Sequence, residues 1–97
     1  EVPVAGSATG GAGEVVVQFT TPNDADFRAI EIFGSDTDDS GAASLLGSAI
    51  YAAANVAVSV TDDGLGSSVT RYYFARSRGD FGNASAFTTS VSATTDA

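Results

Sequence analysis

The sequence predicts an all-β fold, an antiparallel sandwich of seven short strands, and three observations carry that expectation. Apolar and polar or small residues alternate with a period of two in short stretches, most clearly where Val56, Val58 and Val60 interleave with Ala57, Ser59 and Thr61. Clusters of Gly, Pro, Asn and Asp separate these stretches at intervals of roughly ten residues. At 97 residues, 43% hydrophobic and only 16% charged, the chain can bury one modest core and is too apolar for a disordered acidic segment. No segment repeats another, so one domain is expected: a linker and edge strand over 1–13, the body over 14–95 and a tail at 96–97.

Residues 1–13 are rich in Gly, Ala, Ser and Thr, and Gly10, Gly11 and Gly13 predict a turn after a short edge strand. Glu14–Thr20 holds three valines and Phe19, with Val15, Val17 and Phe19 on one face. Pro22 ends that strand. In Phe27–Phe33, Arg28, Ile30 and Ile32 share one face, and the isoleucines point inward; Phe33 lies opposite and half-exposed. Gly34–Gly41 is an acidic loop. The alanines and leucines of 42–54 favour helix by propensity, but Gly47 interrupts them and no 3.6 period runs through. A short strand over Ser44–Ile50 and then a loop are therefore expected. Strands over Val56–Thr61, Thr70–Arg78 and Ala86–Thr94 complete the set, with Leu65 lodged in a loop and a hairpin turn at Gly79–Asn83. The expected core is Val15, Val17, Phe19, Ile30, Ile32, Leu45, Val58, Val60, Leu65, Tyr73, Ala75 and Val91.

Composition excludes several functions. There is no cysteine, hence no disulfide and no thiolate zinc site, and no histidine or lysine to activate a hydroxyl nucleophile. The only cations are Arg28, Arg71, Arg76 and Arg78, and the net charge of −8 argues against nucleic acid or an anionic membrane as partner. No apolar run approaches the roughly 20 residues of a membrane span. The expectation is a protein that is not an enzyme, needs no cofactor and inserts in no membrane.

Three segments resemble a known family. Asp62-Asp63-Gly64-Leu65, Tyr72-Tyr73-Phe74-Ala75-Arg76-Ser77 and Gly82-Asn83-Ala84-Ser85-Ala86-Phe87 are similar to the E–F–G region of fibronectin type III domains, in particular those of phage tail host-specificity (tail tip attachment) proteins. Ile30–Ser35 resembles their strand C. The resemblance spans about Val15 to Thr94 and implies an immunoglobulin-like sandwich. It departs from the family at Phe19, where the family has Trp. It departs again at Arg71, where the corner tyrosine would fall, so either Tyr72 or Tyr73 replaces it or the corner is missing. Of the two registers for that strand, one places Tyr73, Ala75 and Ser77 toward the core, the other Tyr72 and Phe74. The first is expected, because it leaves Arg71, Arg76 and Arg78 in solvent.

The candidate sites are few. Asp36, Asp38 and Ser40 have the opening spacing of a calcium loop, but Gly47 stands at the twelfth position, so a solvated turn is expected and no metal site is favoured. Arg78-Gly79-Asp80 is the tripeptide that the cell-adhesive fibronectin module presents to integrins, and it is also ordinary hairpin chemistry. Tyr72, Phe74, Arg76, Phe81 and Phe87 form a candidate exposed strip that could bind a partner protein or a glycan. The resemblance implies a non-catalytic structural or binding module of a phage tail or phage-like particle, located in the virion tail or extracellularly. Its partners would be other virion or tail proteins in an oligomeric assembly, or a host surface receptor or glycan. Alternatives are a capsid decoration or fibre protein and a secreted bacterial adhesion or carbohydrate-associated module.

Overall fold

A computed structural model describes residues 3–22, 27–47, 50, 51, 53, 55–79, 84–88 and 90–97. It is all-β and antiparallel. The strands are β1 (Val4–Gly10), β2 (Val15–Thr20), β3 (Phe27–Ser35), β4 (Ser44–Leu45), β5 (Ile50–Tyr51), β6 (Ala57–Asp62), β7 (Thr70–Gly79) and β8 (Val91–Thr94), with one 3-10 turn at Ser40–Ala42. One sheet has the order β1-β2-β6; the other has the order β4-β3-β7-β8, with β5 also paired to β3.

Period-two burial makes the core. In β2, Val15, Val17 and Phe19 are fully buried while Val16 and Gln18 face out. Ile30 and Ile32 of β3 and Tyr73 and Ala75 of β7 meet them from the second sheet. Val58, Val60, Leu65 and Val91 close the margins, half-buried.

Four expectations are corrected. The described residues form eight strands instead of seven, because the expected strand over 44–50 is two short pieces, β4 and β5, on either side of Gly47, whose φ is +70°. Leu45 is not in the core: it pairs with Phe33 on the outer face of β3, and Leu46 packs inward instead. The neighbouring backbone bond, from the Leu46 N–H to the Ile32 carbonyl at 2.8 Å, sets that register. The last strand spans only Val91–Thr94, not 86–94. Upstream of it, side-chain hydroxyls replace carbonyls as partners of β7. The Ala75 N–H donates to Thr88 Oγ1 at 3.1 Å and the Ser77 N–H to Ser85 Oγ at 3.0 Å.

The fourth correction concerns Arg71. Tyr73, Ala75 and Ser77 do face inward, as expected. Arg71 has the same parity, so it shares their face and is withdrawn from solvent, with 16% of its side chain exposed. It sits at the end of the sheet, where acidic residues meet it.

The two ends of the sandwich are closed by backbone and hydroxyl bonds. At one end Thr21 Oγ1 accepts from the Val56 N–H at 2.8 Å and donates to the Ala53 carbonyl at 2.9 Å. At the other end Thr95 Oγ1 accepts from the Val69 N–H and donates to the Gly66 carbonyl, both at 2.8 Å. The Asp96 N–H reaches the Gly11 carbonyl at 2.9 Å there. β1 begins opposite Thr20, so the chain enters at the first end and leaves at the second. The principal extents are 42 × 24 × 19 Å.

Gly10 lies where β1 meets β8. A Cβ at this position would overlap the Thr94 carbonyl, a backbone atom that cannot rotate away. Gly10→Ala is therefore expected to destabilise the fold by about 1–3 kcal/mol, read as a lowered denaturation midpoint.

Candidate functional site

The side chains with the most chemistry fall into two groups. The first occupies the outer face of the five-stranded sheet. Antiparallel pairing sets Glu31 opposite Arg76 and Phe33 opposite Phe74. Glu31 Oε1 accepts from Arg76 Nε at 2.8 Å and from Arg78 Nε at 3.0 Å. The Arg76 guanidinium also lies over two rings, 5.1 Å from the Phe33 centroid and 5.2 Å from that of Phe87. Phe33 and Phe87 meet edge to face at 5.0 Å, and Phe74 meets Phe87 at 6.3 Å.

Electrostatics here favour the charged triad. Burial alone would raise the Glu31 pKa, but the hydrogen bonds and charges of Arg76 and Arg78 outweigh it and hold the carboxyl below its usual range. A carboxylate with a depressed folded-state pKa contributes stability above about pH 4.5 that is lost as pH falls through the lower folded value. Glu31→Gln is expected to destabilise by about 1–2 kcal/mol at neutral pH, since both guanidinium groups are partly screened by solvent. Denaturant titrations at neutral and acid pH should show the gap between wild type and variant closing as the pH drops.

The second group lies at the end where the chain leaves. The Tyr73 hydroxyl donates to Asp62 Oδ2 at 2.7 Å, and Arg71 Nε donates to the same oxygen at 3.2 Å. Arg71 Nη1 reaches Asp36 Oδ1 at 2.8 Å. Burial would lower the Arg71 pKa, but its bonds to Asp36 and Asp62 raise it on balance. The Tyr73 pKa is raised well above its ordinary value, first by burial and then by the Asp62 carboxylate that accepts its hydrogen bond. Tyr73, not Tyr72, is the tyrosine turned into the core, and its hydroxyl is anchored by the side chain of Asp62.

The expected sites are redistributed. Asp36 is the exposed partner of Arg71, Asp38 is exposed, and Asp39 caps the 3-10 turn by accepting from the Gly41 N–H at 2.9 Å. Among the described residues no three acidic side chains gather to hold a metal ion. Of the aromatic strip, Phe74 is buried, not exposed, at 5%. Tyr72, Arg76 and Phe87 are half-buried or deeper, and Phe81 lies outside the described residues. Arg78 is held by Glu31 and Gly79 ends β7, while Asp80 of the tripeptide also lies outside the described residues. Glu31, Phe33, Ser85 and Thr88 were not expected in any site. The parity of β3 against β7 is the signal that would have found the first two.

In both groups each charged side chain has an ion-pair partner. Among the described residues no buried side-chain polar atom lacks a partner.

No protein-family model matches the chain, and no curated protein does. Solved structures do. A region of a β-1,2-glucanase from Parabacteroides distasonis superposes over 100% of this chain with a TM-score of 0.76 and 20% identity. The chain corresponds to 13% of that enzyme's length. An Fn3-like protein from Clostridium thermocellum superposes over 95% of this chain and 88% of its own, with a TM-score of 0.74 and 13% identity. At these identities the likeness shows the fold: an Fn3-like β-sandwich.

Proposed function

We propose that the chain is a non-catalytic spacer module with the seven-strand fibronectin type III topology, β4 and β5 together standing for one strand. One observation carries the spacer reading. The chain enters the sandwich beside Thr20 and leaves beside Gly11, at opposite ends of a body 42 Å long. A domain threaded in this way can hold two flanking parts of an assembly apart, one at each end. Its internally paired charges suit a structural part better than a reactive one. The resemblance of its E–F–G region favours a phage tail or phage-like particle, where the module would space or present host-attachment parts.

Antibody labelling of purified particles tests this reading. Label at the tail tip is the expected result. Label over the head would make the chain a decoration or fibre protein instead.

A second reading has its own support: a similar domain forms part of a β-1,2-glucanase. In that setting the chain would be a carbohydrate-associated module of a secreted protein. The geometry of the outer face speaks against direct glycan stacking, because the Arg76 guanidinium already lies over the Phe33 and Phe87 rings. Titration calorimetry with β-1,2-glucan is expected to give no binding heat. Clear binding, with no label on any particle, would favour the second reading.

A further inference from the structure

We infer that β6 is a self-pairing edge, through which two copies of this chain join their three-stranded sheets into one antiparallel six-stranded sheet. β6 ends the sheet order β1-β2-β6, and no described residue pairs with its other side. The hydrogen-bond phase identifies the groups left open. The Thr21 N–H donates to the Val56 carbonyl, so residues 56, 58, 60 and 62 direct their backbone groups toward β2. Ala57, Ser59 and Thr61 therefore direct theirs toward the open edge.

Sheet edges are ordinarily blunted by lysine, proline, a bulge or an inward-pointing charge. The first three are absent from β6, and its one inward-pointing charge, Asp62, lies at the last residue of the strand and is paired with Arg71. The chain contains no lysine, the strand contains no proline, and its six pairs with β2 run without a register shift. The side chains of Ala57, Ser59 and Thr61 are small, neutral and exposed.

Charge selects the partner and its direction. In an antiparallel pair centred on Ser59, Ala57 faces the second copy's Thr61, and every open N–H and C=O of the three residues finds a complement. Asp62 then faces Val56, and Asp63 faces Asn55, so no carboxylate meets another. A parallel in-register pair would oppose Asp62 to Asp62 and Asp63 to Asp63, which like charges disfavour. Val56, 41% exposed in the single chain, would be covered. An isologous contact of this kind closes after two copies.

Sedimentation of the chain over a range of concentrations tests the inference. The expected result is a mass rising from one chain toward two. Association should tighten as salt screens the −8 net charge of each copy. Ser59→Pro removes an N–H that bonds nothing among the described residues and should weaken association by at least about tenfold. Ser59→Cys, in a chain otherwise free of cysteine, should form a cross-linked dimer on mild oxidation, because facing Cα atoms at about 5.5 Å lie within disulfide reach. Gln18→Cys, exposed on the sheet face, should not. A single-chain mass at every concentration, association that weakens with salt, or cross-linking no better at 59 than at 18 would overturn the inference.

Discussion

Replacing Phe19 with alanine is expected to destabilise the domain by about 3–5 kcal/mol, the largest effect expected of any single change. Phe19 is fully buried, paired with Val58 across β2 and β6 and packed among Ile30, Ile32 and Tyr73. It is the plug of a small core at the position where the resembling family carries the larger Trp. A body of this size has few other large side chains to collapse into the space, so most of the cavity would persist. Chemical denaturation reads the effect directly. A midpoint unchanged from wild type would remove Phe19 from the core.

Asp62→Ala is the second large expectation, a loss of about 2–4 kcal/mol. The substitution leaves the Tyr73 hydroxyl and the Arg71 Nε without their shared acceptor, in a place where Arg71 is 16% exposed. Asp36, at 80% exposure, can hold Arg71 only at its outer nitrogen. Tyr73→Phe should cost less than Asp62→Ala, since it removes one bond and leaves the Arg71–Asp62 pair in place. A result in the reverse order would show that the Tyr73 hydroxyl, not the Asp62 carboxylate, is the group on which this corner depends.

The same corner sets the response to alkali. The folded state holds Tyr73 protonated above the ordinary value of 10.0. Its contribution is therefore fully present below pH 10 and is lost as the pH rises from there through the folded value. Denaturation midpoints should fall from about pH 10 upward in wild type and less steeply in Tyr73→Phe.

Much of the fold was legible because strands have a strict period. Val15, Val17 and Phe19 announce their face by alternation, as do Ile30 with Ile32 and Val58 with Val60, and the structure keeps all of them facing inward. Where residues on both sides of a strand are apolar, alternation carries no information. Leu45 and Leu46 are adjacent and chemically equal, so only the bond from Leu46 to Ile32 decides which one is buried. The charged groups were harder still. A carboxylate such as Glu31 reads as a solvated residue in isolation, and becomes the centre of a triad only when β3 lies against β7 in one register.

By itself the sequence determined most of the strand-forming stretches, the absence of thiol and imidazole chemistry, and which faces of β2, β3 and β6 turn inward. These arise from side-chain branching, backbone freedom and period-two patterning, which act within a few residues. Only the tertiary structure decided the division of 44–51 into β4 and β5, the hydroxyl-mediated pairing of 84–88 with β7, and the withdrawal of Arg71 to Asp36 and Asp62. Tertiary contacts likewise left one edge of β6 open among the described residues. Each of these depends on pairing between residues far apart in the chain, where the energy of a contact is set by what the fold brings beside it.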